Sequence, residues 1–229
     1  MKPNTIGTMA LLAALLMYPA LGRSTSGSGM QQISRSELCV SEGEIEAPGS
    51  GQLRVDDSKM RANTALKTEP MAELRFTYLG PTQEVSKLGS GTVRQQLGLK
   101  LRAQDACNLV YVMWRISPES KLVASVKRNP GQRTSAECGN QGYRNIKPQR
   151  SIAVPALSAG SSHLLRAELQ QDNLRVFVDQ TPVWQGPLGD DALSFNGPVG
   201  MRTDNVRLDF EFFADTSAPT HVPCVRGDE

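Results

Sequence analysis

The sequence predicts an all-β fold in which two antiparallel sheets pack face to face as a sandwich. Short runs of alternating apolar and polar residues recur along the chain, separated by Gly, Pro, Asn or Asp. A period of two is typical of half-buried strands, and almost no segment shows the helical period. About nine or ten such strands with few helices favour a two-sheet antiparallel architecture.

The individual strands are predicted from this alternation and from the turn residues that bound each run. They cover residues 52–55, 72–79, 96–102, 109–116, 121–127, 162–169, 174–178, 198–202 and 206–213. Residues 109–116 are apolar on both faces, which is typical of a strand in the middle of a sheet. The core is expected to contain Leu74, Phe76, Leu97, Leu99, Val110, Val112, Trp114, Val123, Leu165, Val176, Val178, Leu208, Phe210 and Phe212.

The N-terminus has the pattern of an export signal. Lys2 precedes a short apolar run at residues 9–17, and small residues around Gly22 suit cleavage there. A transmembrane helix needs roughly 20 apolar residues, so a retained anchor is the less favoured alternative, and no later segment suits a stable membrane span. We expect a signal peptide at residues 1–22, a flexible tether at 23–36, and one β-sandwich domain with an irregular C-terminal tail at 37–229. The protein is then secreted or periplasmic.

Four cysteines follow the expected cleavage point. An even number in an exported chain, without a Cys-x-x-Cys pair, favours two disulfides over a zinc site. Three connectivities are possible. We expect Cys107 to pair with Cys138, and Cys39 with Cys224, which would tie the first part of the domain to its tail.

The hairpin at residues 174–184 resembles the paired strands of laminin-G-type and other concanavalin A-like jelly rolls. Leu174, Val176, Val178 and Asp179 fit the form L-x-V-x-V-D-G of that superfamily, and Gln180 replaces its usual glycine. Residues 197–212 resemble its closing strands. Trp184, on the return strand, is expected to pack against the sheet edge, the alternative being an exposed platform for a sugar.

The resemblance covers roughly residues 52–213 and implies a two-sheet antiparallel jelly-roll sandwich. Members of the superfamily include carbohydrate-binding modules, lectins, glycan-cleaving hydrolases and lyases, and protein-adhesion domains. The fold alone does not distinguish these functions, so the function must be inferred from the side chains.

Glu42, Glu44 and Glu46 are the strongest enzyme-like pattern, since carboxylates at alternate positions of one strand resemble the E-x-D-x-E motif of retaining hydrolases of this fold. Glu44 replaces the middle Asp, and the turn residues 48–51 follow at once. We therefore interpret the motif as a solvated edge. His163 and His221 are expected to be structural. We assign no catalytic residue.

No metal ligand or cofactor is assigned either. Oxygen-rich pairs stand at residues 56–57, 190–191 and 204–205, and members of the superfamily often hold calcium at such loops. Calcium needs six to eight oxygen ligands, and no loop supplies a recognisable series, so calcium is a minor alternative. The tripeptide at residues 226–228 spells an adhesion motif, which we attribute to chance.

The most informative charge pattern lies between residues 115 and 150, which contain eight basic residues and only two acidic ones. A long polar loop within it, residues 127–145, is expected to be stapled by Cys138, and long loops in compact domains are usually functional. Guanidinium groups bind carboxylate or sulfate groups through paired donors, and an aromatic ring stacks on a sugar face. The expected ligand-binding residues are Arg115, Lys127, Arg128, Arg133, Tyr143 and Arg144.

These patterns predict a secreted, non-catalytic jelly-roll module that binds a glycan, with an anionic glycan as one option, or another extracytoplasmic polymer. Polysaccharide or glycoconjugate is the expected partner. Nucleic acid is disfavoured by export and low aromatic content. Two alternatives stay open: a polysaccharide-cleaving hydrolase or lyase, and a structural or protein-adhesion role in the envelope. The sequence leaves the oligomeric state undetermined.

Overall fold

A computed structural model describes residue 1, residues 29–216 and residues 220–224. Residues 2–22 of the predicted signal peptide, residues 23–28 of the predicted tether and the tripeptide at 226–228 lie outside them. The described residues form sixteen strands: β1 (Met30–Ile33), β2 (Leu38–Glu42), β3 (Glu46–Gly49), β4 (Gln52–Val55), β5 (Lys59–Thr64), β6 (Met71–Pro81), β7 (Gln95–Leu101), β8 (Leu109–Ser117), β9 (Lys121–Lys127), β10 (Tyr143–Asn145), β11 (Arg150–Ser151), β12 (Ser162–Gln170), β13 (Asn173–Val178), β14 (Thr181–Pro187), β15 (Gly200–Asp204) and β16 (Val206–Asp215).

The strands form two antiparallel sheets, which confirms the predicted jelly-roll sandwich. The nine-stranded sheet has the order β11-β14-β13-β12-β6-β16-β4-β3, with β1 also paired to β16. The seven-stranded sheet has the order β10-β9-β8-β7-β15-β5-β2. Helical structure in the described residues is confined to α1 (Ser135–Cys138) and two 3-10 turns, Arg35–Glu37 and Asp190–Leu193.

The core lies between the sheets, where alternate side chains of each strand meet. Along β16 every second residue is buried, from Val206 to Ala214. The ring of Trp114, fully buried on β8, contacts that of Phe76 on β6 edge to face, with centroids 5.9 Å apart. Burial of such side chains stabilises the fold by about 1.5–3 kcal/mol each.

Strand β8 lies between β7 and β9, as expected of a strand that is apolar on both faces. Val110, Val112 and Trp114 face the core, while Tyr111 and Met113 face the other side of the sheet. Val123 was expected in the core, and this prediction is wrong. It is only partly buried and has the parity of the outer face of β9.

Trp184 is 3% exposed and belongs to the core, which rules out its alternative role as a sugar platform. The turn before it places Asp179 and Gln180 at φ angles of 49° and 67°. Two successive left-handed residues match the twist of a hairpin, so the turn accommodates Gln180 in place of glycine. The tight link between β13 and β14 buries the return strand.

The domain begins earlier than the sequence indicated. Residues 30–33, expected in the tether, pair with β16, and Ile33 is fully buried. The expectation of a tether is therefore wrong for this stretch, because Ile33 fills a core position and the backbone completes the sheet. Strands β2, β3, β5, β10 and β11 were also missed. Strands β3, β10 and β11 are short, and β5 alternates in burial over all six residues but carries only two apolar side chains, Met60 and Ala62.

Both predicted disulfides are present. Cys39 pairs with Cys224 and Cys107 with Cys138, with Cα atoms 5.4 and 5.9 Å apart. The first joins β2 to the C-terminal segment, whose His221 also forms a β-bridge with Leu66. In the described part of the chain, no helix has the length and apolar character needed to cross a membrane.

Candidate binding site on the seven-stranded sheet

The outer face of the seven-stranded sheet lines a cavity of about 800 Å³. All seven strands contribute side chains to it, and so do two loops, at residues 88–90 and 139–140. The first loop precedes the start of β7, and the second precedes β10, which pairs with the end of β9. These loops approach from opposite ends of the strands, yet a Cβ at Gly89 would lie only 3.4 Å from that of Asn140. We call this contact the roof, because it spans the face above the sheet.

The charge of the cavity is strongly positive. Two carboxylates line it, Glu42 and Asp105, against eight cationic side chains: Lys59, Arg61, Arg94, Lys100, Arg115, Lys127, Arg133 and Arg202. Low-dielectric walls focus the field of such a cluster and raise the local concentration of anions.

One buried carboxylate organises the centre of this face. Asp204 is fully buried at the end of β15 and accepts hydrogen bonds from Arg61 at 2.6 Å, from Nε of Arg202 at 2.9 Å and from Gln96 at 2.6 Å. Burial by itself raises the pKa of Asp204, but the charges of Arg202 and Arg61 outweigh burial and lower it. Burial likewise acts to lower the pKa of Arg202, and Asp204 reverses this. Asp204 therefore holds both arginines in place.

Two tyrosines form the aromatic part of the cavity. The ring of Tyr111 on β8 stacks on that of Tyr143 on β10. The guanidinium carbon of Arg202 lies 5.1 Å from the Tyr111 ring centroid, and Nζ of Lys127 lies 5.2 Å from that of Tyr143. Burial of the hydroxyl, and then the neighbouring Tyr111, raise the pKa of Tyr143, so this hydroxyl stays protonated. Tyr143 is 39% exposed and presents part of its ring to the cavity.

Lys127 is buried and uses its ammonium group to hold the stapled loop. Nζ donates to the carbonyl oxygens of Ala106 and Gly139, each at 3.0 Å, and contacts Sγ of Cys138 at 3.1 Å. Burial, and to a lesser extent Arg202, lower the pKa of Lys127 to about 8. Its donors are committed to the protein, so it positions the loop carrying Tyr143.

Five other cations have donors that the protein leaves open. Within the described residues, no group accepts a hydrogen bond from the side chains of Lys59, Arg94, Lys100, Arg115 or Arg133. Nε of Arg115 is buried without any partner. An unsatisfied buried donor costs about 1–3 kcal/mol, so Arg115 is arranged to receive an acceptor from outside the chain.

The structure divides the six expected ligand-binding residues into two groups. Arg115, Lys127, Arg133 and Tyr143 all line the cavity. Arg128 and Arg144 do not. They converge on Asp191, at 3.7 and 3.3 Å, and Arg144 also donates to the carbonyl oxygen of Leu188. Neighbouring residues of a strand point to opposite faces, which separates Arg144 from Tyr143.

The three glutamates of the possible hydrolase motif do not share a strand. Glu42 ends β2 of the seven-stranded sheet, and Glu46 begins β3 of the other sheet. Gly43, at a φ of 73°, turns the chain between them, and Glu44 is exposed. The expected solvated edge thus holds for Glu44 and Glu46, while Glu42 reaches the cavity and pairs with Arg61 at 3.7 Å.

His163 lies on the other sheet, beside a shallower depression of about 440 Å³. Its Nδ1 is 2.7 Å from Oδ2 of Asp179, and its ring packs against Trp114 and Phe76. The neighbouring Ser162 hydroxyl bonds to Thr77 instead. This arrangement anchors the β13–β14 turn, because Asp179 also accepts the backbone N–H of Leu164.

The oxygen-rich pairs considered for calcium are bound to protein groups. Asp191 is paired with two arginines, Asp204 with two more, and Asp57 accepts the backbone N–H of Glu44. Among the described residues, no group of three or more His, Cys, Asp or Glu side chains is arranged to hold a metal ion.

Sequence reasoning missed most of the residues that line the cavity, notably Arg61, Arg94, Lys100, Tyr111 and Arg202. These residues are far apart in sequence and meet only through strand pairing. A signal was present: Lys59-x-Arg61-x-Asn63, Gln96-x-Gly98-x-Lys100 and Gly200-x-Arg202-x-Asp204 each carry polar groups on one face of a strand. The small residue is required at Gly98, because a Cβ there would overlap the backbone of Val112 and Met113.

Comparison with known proteins supports the fold. A carbohydrate-binding module, CBM66 from Bacillus subtilis, superposes with a TM-score of 0.51 at 13% identity, over 76% of this chain and 91% of that one. The carbohydrate recognition domain of Emp46p (TM-score 0.48, 8% identity, 80% and 90% coverage) and a β-1,3-glucanase from Mycobacterium marinum (0.43, 10%, 75% and 76%) are more distant. No protein-family model and no curated protein sequence matches the chain. At such identities, the likeness to CBM66 establishes a shared two-sheet sandwich, the fold implied by the concanavalin A-like resemblance.

Proposed function

We propose that this protein is an exported, non-catalytic jelly-roll module that binds an anionic glycan in the cavity of the seven-stranded sheet. The observation that carries the proposal is the combination of a partly exposed tyrosine with unpaired cations in one cavity. Tyr143, backed by the buried ring of Tyr111, offers a stacking surface, and Arg94, Lys100 and Arg115 offer open donors. Aromatic rings pack on the apolar face of a sugar, while cationic donors bind its carboxylate or sulfate groups.

The dimensions of the cavity favour an extended ligand. Tyr111 and Arg115 are four positions apart on β8, which corresponds to about 13 Å along a strand. This distance exceeds one monosaccharide, so ring stacking and charge recognition act on different units of a chain. CBM66, with which this chain shares its fold, is a carbohydrate-binding module.

The carboxylates of the cavity support binding without cleavage. Glu42 is paired with Arg61, and Asp105 accepts hydrogen bonds from the backbone N–H groups of Cys107 and Asn108 at 2.8 Å. Glycoside hydrolysis needs an acid and a base facing each other across the bond. Tyr143, whose pKa is raised, is unsuited to act as a base near neutral pH.

Two disulfides support an oxidising compartment, in agreement with the export signal expected at the N-terminus. The mature domain would then meet glycans in the periplasm or outside the cell. N-terminal sequencing of the material that the cells export tests this part, and cleavage after Gly22 is the expected result.

Affinity electrophoresis against polygalacturonate, dextran sulfate and neutral dextran tests the function. Retardation by the anionic polymers that weakens with added salt is expected. The double variant Arg94→Ala, Arg115→Ala should lose it. The matched control is Arg128→Ala with Arg144→Ala, which removes the same charge outside the cavity and should bind like wild type.

Three results would contradict the proposal. Equal retardation by neutral and anionic dextran would show that the ligand need not be anionic, and no retardation by any polymer would favour the protein-adhesion role. Release of reducing ends from the bound polymer, abolished by Glu42→Gln, would establish catalysis instead.

A further inference from the structure

Lys100 is one of the two buried lysines of the cavity, the other being Lys127. It lies on β7, the middle strand of the sheet, opposite Tyr111 on β8 and Gly200 on β15. The residue is only 5% exposed, and its side chain lines the cavity. Gly200 offers it no side-chain partner, and no described residue accepts a hydrogen bond from its ammonium group. Lysine is rarely buried in a protein without a partner, so this position requires a specific reason.

We propose that the ammonium group of Lys100 binds one carboxylate or sulfate group of the glycan, and that its deprotonation releases this group, so that affinity falls as the pH rises. The inference rests on the proposed function and adds to it a specific recognition point and a means of release.

The other cations near Lys100 cannot take this role. Arg61 and Arg202 are already bound to Asp204, and the donors of Lys127 are bound to carbonyl oxygens. These groups surround Lys100 with positive charge, but they donate their hydrogen bonds to acceptors within the protein. Among these four neighbouring cations, Lys100 is therefore the one whose side chain has no hydrogen-bond acceptor in the described residues.

The same surroundings make the group sensitive to pH. Burial, followed by the charges of Arg61 and Arg202, lowers the pKa of Lys100 to about 7, and the opposing effect of Glu42 is smaller. An anion bound to the lysine favours its protonated form and raises its pKa. Binding is therefore strongest below about pH 7 and weakens as the pH rises through that value.

The other titratable groups facing Lys100 do not produce this dependence. Asp204 stays ionised and Tyr143 stays protonated, since the pKa of the first is lowered and that of the second is raised. Asp105 is bound to backbone N–H groups, and Tyr111 lies in the stacked pair. Lys127, with a pKa of about 8, is the one nearby group that also titrates in this range, and it donates to the protein. No histidine is among the described residues that line the cavity.

The experiment compares wild type with Lys100→Arg, Lys100→Met and a control, Lys147→Met, an exposed lysine outside the cavity. Affinity for dextran sulfate is measured by calorimetry at constant low ionic strength between about pH 6 and about pH 8. For a group with a pKa of about 7, the protonated fraction falls about tenfold over this range, and wild-type affinity should fall by the same factor. The control should follow wild type.

The two substitutions separate charge from titration. Lys100→Arg keeps the charge at every pH, so its affinity should no longer fall. Lys100→Met should bind weakly at about pH 6 and show no further loss. A readout that needs no ligand and no variant is the reaction of Lys100 with acetic anhydride, mapped by mass spectrometry. Its rate should rise to a plateau with a midpoint near pH 7.

If wild type, Lys100→Arg and Lys100→Met all bind with the same pH dependence, the proposed role of Lys100 is overturned, while glycan binding itself is not. Acetylation with the midpoint of an ordinary lysine, near about pH 10, would overturn it also. Absence of wild-type binding to any anionic polymer at any pH would instead overturn the proposed function itself.

Discussion

The rings of Tyr111 and Tyr143 stack with their centroids 5.9 Å apart and their planes at 21°, although the residues belong to strands separated by β9. Neither ring is in the apolar core between the sheets. Because stacking joins β8 to the edge strand β10, it sets the position of the aromatic surface relative to the cations of the cavity.

Tyr143→Ala should weaken binding to an anionic polymer by about 1 kcal/mol, or about fivefold, because the sugar loses a stacking partner. Tyr143→Phe keeps the ring and should bind nearly as wild type does. Calorimetry measures both. Phe177→Ala, which removes a ring on the nine-stranded sheet, is the matched control, and an equal loss of affinity in this control would contradict the assignment of the cavity.

Asp204→Asn should destabilise the protein by about 3–5 kcal/mol, since Arg202 would be left as a buried cation without a counter-ion and Arg61 would keep only Glu42, at 3.7 Å. The matched control is Asp209→Asn, which breaks the more exposed pair with Arg54 and should cost about 1 kcal/mol or less. Urea denaturation gives both values. Similar losses in the two variants would show that the buried pair has no special weight.

The contribution of Asp204 to stability should also depend on pH. The pKa of Asp204 is lowered in the folded protein, so its contribution is present above the unfolded value of about 3.9 and is lost as the pH falls through the folded value. The free energy of unfolding of wild type should therefore decline on acidification more steeply than that of Asp204→Asn. Parallel curves would mean that other carboxylates dominate acid unfolding.

Replacing Cys107 and Cys138 by Ala should reduce stability by about 4 kcal/mol, the chain-entropy value for a loop of this length. Binding should also weaken, because this bridge and Lys127 together hold the loop that leads to Tyr143. Stability and affinity are measured separately, by urea denaturation and calorimetry. Unchanged affinity in the folded variant would show that the loop keeps its position without the bridge.

Closing the roof should slow the entry of a polymer. In the double variant Gly89→Cys, Asn140→Cys, the Cβ atoms of the two cysteines would lie 3.4 Å apart, near the Cβ–Cβ distance found in disulfides. Stopped-flow association with a long anionic polymer should be slower for the oxidised double variant than for either single variant, because the chain must thread beneath the bridge. Equal rates would place the ligand outside the roof.

The sequence alone predicted the fold class, nine of the strands and the two disulfide pairs, and 13 of its 14 expected core residues lie in the core. Strand alternation is a local property, as in Val206 to Ala214, so it is visible in a few consecutive residues. The local charge pattern also indicated Arg115, Arg133 and Tyr143, which line the cavity, because these residues lie in one basic segment. Short strands such as β1 and β10 carry too few residues for this signal.

The tertiary structure alone decided which charges meet. Arg61, Lys100 and Arg202 come from three strands far apart in the chain, and only the antiparallel register of β5, β15 and β7 brings them onto one face. Register likewise turned Arg144 away from the cavity and Tyr143 into it. A binding surface on a sheet depends on pairing between distant strands, whereas the strands themselves follow from the side chains of their own residues.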